Sequence, residues 1–149
     1  MEKHTNDLTL TQEIAGYCRI FVDEELDRDN TSIENQKKII EEFVKAKYPK
    51  CKRSIYEDRD RSGYTFEQRE GYGQLRKKLM NGNISVLIVK DFSRFSRRNS
   101  KGLVELEDLR DAGVRIISIG DAIDYPTYND WTARHFRFWK INFRMPRMS

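Results

Sequence analysis

The sequence predicts an α/β domain of three layers, with a mainly parallel sheet of four to five strands and helices on both faces. Two observations carry this. Short runs of β-branched and aromatic residues alternate with segments of helical apolar spacing, in βαβα order along the chain. The third run, Val86-Leu87-Ile88-Val89, is apolar without interruption between turn signals, as a strand buried on both faces has to be. At 149 residues one real core is expected, because a chain of this size buries about two-thirds of its unfolded surface. A sheet of this kind collects its functional loops at the carboxyl ends of the strands.

The elements follow in order. Residues 1–12 are polar and mixed in charge, which predicts a flexible leader and does not fit a signal peptide. Ile14–Phe21, IAGYCRIF, reads as the first strand, followed by the charged loop DEELDRDN. Thr31-Ser32-Ile33-Glu34 reads as a capping box with Thr31 at the cap. Behind it Ile33, Ile40 and Val44, joined by Ile39 and Phe43, repeat at helical spacing to about Lys47, and Pro49 stops the helix. Ser54–Asp58 suits a second strand, and the polar segment RDRSGYTFEQ that follows has a turn or mobile-loop signal at Ser62-Gly63. A helix is expected from Arg69 to Met80 despite Gly71 and Gly73, closing at Asn81-Gly82-Asn83. After the third strand the loop DFSRFSRRN leads into a helix around Lys101–Asp111. Its apolar face is assigned to Leu103, Leu106 and Leu109 with Val104, and Gly113 ends it. VRIISI makes the fourth strand, and GDAIDYP the loop after it.

Composition narrows the function classes. Lys plus Arg exceed Asp plus Glu by 28 to 24, for a net charge of +4, which fits a nucleic-acid partner without requiring one. Cys18 and Cys51 have neither zinc-site spacing nor the number a disulfide framework needs, and Cys18 reads as a small buried hydrophobe. The longest apolar runs are far too short to span a bilayer, so a cytoplasmic protein with no membrane partner is expected.

Polar clusters end three of the four strands and are expected to converge at one sheet edge. Arg19 belongs to the first. Asp58, Ser62 and Arg69 follow the second. Lys90, Ser93, Arg94, Arg97 and Arg98 follow the third. Each has a bland reading alone: Arg19 as a paired core charge, SRFSRR as a solvated helix start, DRDRSG as a surface turn. Together, four or more converging guanidinium forks call for an anion between them, either a DNA backbone or a phosphoryl-transfer transition state. Asp58, Asp60 and Asp91 suggest magnesium, but the arginines around them argue against a metal site.

The segments GYCRI, SIENQ, YEDRDRSGYTFEQR, IVKDFSRFSRR and GVRIISIGDAID occur in order from Ile14 to about Tyr125. With them the chain resembles the N-terminal catalytic domain of serine site-specific recombinases, the resolvase/invertase family. The acidic loop before SIENQ, and Ser rather than Asp at position 93, look more like the transposon-type large serine recombinases. The resemblance implies a resolvase-like, broadly Rossmann-like fold over residues 13–127. It also implies a cofactor-free, metal-free transesterification on double-stranded DNA through a 5′-phosphoserine link, carried out by a dimer or tetramer. By the same resemblance Arg19, Arg69, Arg94 and Arg97 bind the scissile phosphate, with Arg98 also on the DNA. Gln36, Asp58 and Ser62 order the site, and Tyr17 matches an aromatic position beside it.

Two departures stand out. The family pattern Tyr-x-Arg-x-Ser reads here Tyr17-Cys18-Arg19-Ile20-Phe21, so the nucleophile position holds a phenylalanine. Covalent catalysis needs the nucleophile itself; Ser32 opens a helix, and Ser62 and Ser93 match positions that do not supply one. Residues 128–149 form a basic tail, with five basic and no acidic residues after Asp130. Aromatics interleave with the basic residues, which fits non-specific DNA binding; a truncated or frameshifted end has the same appearance. Two other readings stay open: a non-catalytic module that binds DNA or a recombinase and regulates it, and an unrelated nucleotide-binding α/β domain. The second lacks the glycine-rich phosphate loop.

Overall fold

The computed structural model describes residues 8, 11–21, 32–60, 69–95 and 99–125. Five strands form one sheet: β1 (Glu13–Phe21), β2 (Lys52–Asp60), β3 (Val86–Val89), β4 (Arg115–Ser118) and β5 (Ile123–Tyr125). Their order is β2-β1-β3-β4-β5. The first four run parallel and β5 is antiparallel to β4. Among the described residues four helices accompany them: α1 (Ile33–Lys47), α2 (Glu70–Met80), α3 (Phe92–Phe95) and α4 (Asn99–Asp111). The expected three-layer, mainly parallel architecture is what the chain adopts.

Strand alternation sorts the two cores. Ile14 and Cys18 of β1, Val86 and Ile88 of β3 and Ile117 of β4 meet Ile33, Ile40 and Val44 of α1 on one face. Ala15 and Tyr17, Leu87 and Val89, and Ile116 meet Tyr72, Leu75 and Leu79 of α2, Phe92 and Phe95 of α3, and Leu106 and Leu109 of α4 on the other. All four residues of β3 are buried, as the unbroken apolar run predicts.

The helix caps correct the sequence reading in places. Ser32, not Thr31, caps α1: its Oγ accepts the Asn35 N–H at 3.0 Å, which leaves Glu34 in the first turn beside the positive end of the helix dipole. Arg69 is the N-cap of α2 and gives its helix no side-chain cap. Gly82 and Gly113 lie at φ +87°, the left-handed conformation that ends a helix and favours glycine. Val104 is 57% exposed and does not belong to the apolar face of α4; two positions before Leu106 it lies about 200° round the helix. The segment DFSRFSRRN, expected as a loop, holds the single turn α3, and the segment GDAIDYP holds β5.

Cys18 is fully buried, as its apolar setting predicts, and burial pushes its thiol up to about 12 from an ordinary value of 9.0. The folded state therefore keeps a proton that the unfolded chain gives up. This contribution to stability is whole below about pH 9 and declines as the pH rises towards 12. At pH 8 a thiol reagent should label Cys18 only as fast as the chain unfolds, read by peptide mass spectrometry with and without denaturant. Rapid labelling of Cys18 in the native protein would contradict its placement in the core.

Candidate functional site

The strand order places the site. In an open parallel sheet, ligands bind outside the carboxyl ends of the strands where the winding reverses. Here that point lies between β1 and β3, which are neighbours in space but not in sequence. β1 pairs with β2 along all nine of its residues, Glu13–Phe21. It pairs with β3 only from Ile14 to Tyr17. Residues 18–21 therefore project past the end of β3 with one side of their backbone unladdered by it.

Gln36 fills that opening. The Glu13 carbonyl accepts Ser85 N–H on the β3 side, so alternation turns the backbone groups of Arg19 to the same side. The Gln36 carboxamide accepts the Arg19 N–H at 3.1 Å and donates Nε2–H to the Arg19 carbonyl at 3.0 Å. One buried side chain thus replaces one residue of a missing strand, and it fixes the main chain of Arg19. Gln36 is wholly buried, where unpaired amide groups would be costly.

Asp58 stands beside Arg19 in the β1–β2 register. It lies within β2 rather than in the loop that follows. Its Oδ2 accepts the Tyr17 hydroxyl at 2.7 Å and the Tyr72 N–H at 2.8 Å, and its Oδ1 accepts the Gly71 N–H at 2.8 Å. The carboxylate is the cap that α2 lacks locally, a negative group set at the positive end of the helix. The close docking needs Gly71, where an added Cβ would come within 2.2 Å of the Glu57 carbonyl oxygen.

Arg19 is 1% exposed and Arg69 5% exposed. The Arg69 guanidinium donates to the Phe95 carbonyl at 2.7 Å, tying the start of α2 to the end of α3. Rings reinforce the link: Tyr72 meets Tyr17 edge-on at 5.3 Å and Phe95 at 5.6 Å. The Tyr72 hydroxyl donates to Glu105 of α4, which also holds Arg76 Nε at 2.7 Å. Burial, then the Glu105 charge, hold the Tyr72 hydroxyl well above its usual range, so it stays a donor. On the α1 face Lys37 pairs with Glu57 at 2.9 Å.

Phe21 is the last residue of β1, opposite Asp60 in the β1–β2 register. Ser93 and Arg94 lie on α3. Lys90 pairs with Asp91 at 3.3 Å. Ser62, Arg97 and Arg98 fall outside the described residues, as do residues 1–7 of the leader and the tail from 126 onward. Among the described residues no group of three His, Cys, Asp or Glu side chains is placed to hold a metal ion, and no helix is long and apolar enough to cross a membrane.

Residues 14–136 match the model of the resolvase N-terminal domain. The chain belongs to the resolvase family. No curated protein sequence matches it. Among solved structures, the N-terminal catalytic domain of TP901-1 integrase aligns over 87% of this chain and 90% of its own, at 20% identity and TM-score 0.62. A resolvase family site-specific recombinase from Streptococcus pneumoniae aligns over 90% and 91%, at 24% identity and TM-score 0.62. The C-terminal catalytic domain of ISC1926 TnpA, an IS607-like serine recombinase, aligns over 72% and 70%, at 20% identity and TM-score 0.57. At these identities the likeness is one of fold. This resolvase domain therefore keeps the fold of serine recombinase catalytic domains while carrying Phe21 at the end of β1.

Sequence reasoning picked out Asp58 and Gln36 through the resemblance and missed Gly71, Tyr72 and Glu105, which hold the same network. A glycine and a tyrosine in consecutive helical positions were the available signal. Replacing Asp58 with Ala should lower unfolding free energy by about 2–4 kcal/mol, because buried N–H groups lose a charged acceptor. Tyr17→Phe should cost about 1 kcal/mol. The double variant should lose less than the sum, by about 0.5–1 kcal/mol, since both act through one bond. Strict additivity in urea denaturation would show that Tyr17 and Asp58 do not work together.

Proposed function

We propose that this chain is a serine recombinase catalytic domain that binds the phosphate backbone of double-stranded DNA and does not cleave it. The observation that carries the reading is the phenylalanine at position 21. It follows Arg19 by two residues on the strand that ends at the site, where the family places its serine. In the family, that serine's oxygen attacks phosphorus, a 5′-phosphoserine link forms and the 3′-hydroxyl leaves. Phenylalanine offers no lone pair for the first bond.

The anion-binding residues are Arg19, Arg69, Arg94 and Arg97, with Arg98 also on the DNA; Gln36, Asp58 and Ser62 position them. The burial of Arg19 and Arg69 beside the switch point supports this. Guanidinium forks gathered at one edge stabilise phosphate oxygens without a cofactor. The functional unit spans residues 13–127, between a leader of residues 1–12 and a basic tail of residues 128–149, and works in the cytoplasm. Like other resolvase domains it assembles into dimers or tetramers on DNA. A chain that occupies DNA or a partner subunit without cutting would act as a regulator of recombination, and Phe21 favours that second reading.

The test joins this chain to the DNA-binding domain of an active family member and offers it that member's nicked site. Phe21→Ser should then give a covalent protein–DNA adduct on a denaturing gel, and the Phe21 chain should give none. If the serine variant stays uncoupled while the parent recombinase couples, the assignment of position 21 is wrong. Arg94→Ala in the unfused chain should weaken duplex binding and reduce the dependence of log K on log salt by about one, as loss of a phosphate contact does.

A further inference from the structure

We infer that Asp121, in the turn between β4 and β5, is a positioning residue that sets the place of α3 and, through it, of Arg94. The inference rests on the reading of Arg94 as a phosphate contact. It concerns a residue 27 positions further along the chain, which the sequence presents only as part of a loop.

α3 is one turn of four residues, too short to hold itself, because a first helical turn orders several residues for a single bond. Three things hold it. Phe92 and Phe95 are buried in the core under α2 and α4. Arg69 holds its far end at the Phe95 carbonyl. At its start the Phe92 N–H donates to Asp121 Oδ2 at 2.9 Å. That same oxygen accepts the Ser118 hydroxyl at 2.6 Å, and Ser118 is the fully buried last residue of β4. The bonds therefore run from the sheet through one carboxylate oxygen into the turn that carries Arg94.

The connection is built to bring Asp121 there. Ile119 N–H continues the ladder onto the Val89 carbonyl at 3.0 Å, and Gly120 N–H reaches the Lys90 carbonyl at 2.6 Å. A Cβ at position 120 would stand 2.8 Å from that carbonyl oxygen, so a side chain there would push the turn away from β3. The Ala122 N–H closes the turn on the Ile119 carbonyl at 3.2 Å. Ala122 itself has φ +56°, a conformation that residues other than glycine adopt rarely. Close approach at one residue and an unfavoured backbone at another are both met so that the residue between them reaches the start of α3.

The experiment compares Asp121→Ala, Asp121→Asn and Arg94→Ala in the full chain, by amide hydrogen exchange and by anisotropy on a 30-base-pair duplex. Asp121→Ala should speed exchange at residues 92–95 by about tenfold while the amides of β1 and β3 keep their protection. Duplex affinity should fall by about three- to tenfold, and adding Arg94→Ala should cost less than a further twofold or so, because both changes remove one contact. Asp121→Asn, whose side-chain carbonyl still accepts both donors, should return affinity to within about twofold of the parent. A role confined to the stability of the turn predicts otherwise: faster exchange with unchanged affinity, or losses that add in full with Arg94→Ala. Either result overturns the inference. Arg94→Ala alone tests the phosphate reading. If it leaves affinity unchanged, that reading fails, while exchange at residues 92–95 separately upholds or overturns the hold of Asp121 on α3.

Discussion

The carboxylate of Asp58 is the constraint on which the rest of the edge depends. It accepts from a hydroxyl on β1 and from two backbone N–H groups at the start of α2, and it is itself part of β2. Three elements with no covalent continuity at that point are thereby set against one another. The start of α2 places Arg69, and Arg69 reaches the end of α3. Tyr72, fixed by its N–H on Asp58, carries the order on through its hydroxyl to Glu105 in α4. A negative group at a helix start is worth little in water, but where the donors around it are buried its loss leaves them unpaired. The geometry of the edge and the stability of the domain are therefore largely one property.

A second constraint comes from unequal strand lengths. β1 has nine residues and β3 four, so β1 outruns its neighbour where the winding of the sheet reverses. An unladdered backbone at the centre of a sheet would be costly if left dry and unpaired. Gln36 supplies both partners from a helix on the opposite face. The arrangement leaves a gap beyond Val89 into which α3 folds, held by Asp121 at one end and Arg69 at the other. The setting of Arg19 thus follows from where β3 ends and from the side chain that replaces it.

Much of this was legible in the residues, and the parts that were not share a cause. The unbroken run Val86–Val89 and the spacing of Ile33, Ile40 and Val44 announce a doubly covered strand and a helix, because burial periodicity is a local property. Gly82 and Gly113 end helices as expected because a left-handed φ is also local. The cap of α2 could not be read that way: it comes from Asp58, eleven positions before Arg69 and across a segment of polar residues. β5 was hidden because only three residues pair, with Ile116, Ile117 and Ser118 of β4, and the Arg115 guanidinium holds Asp124 by two side-chain bonds of 2.9 and 2.7 Å. Charged residues at a strand's edge look like loop in sequence. Val104 was misassigned because apolar character alone does not fix which side of a helix faces the core.

The bonds described for the edge run through side chains at 17, 36, 58, 69, 72, 105, 118 and 121 and through backbone at 19, 71, 72, 92 and 95. Position 21 enters the described structure through its place in the ladder opposite Asp60, which any residue with a free N–H can take. The bonds that fix the Arg19 main chain and the Arg69 guanidinium run to Gln36 and to the Phe95 carbonyl. Removing Asp58 or Gln36 would therefore disturb the fold and the setting of both arginines together.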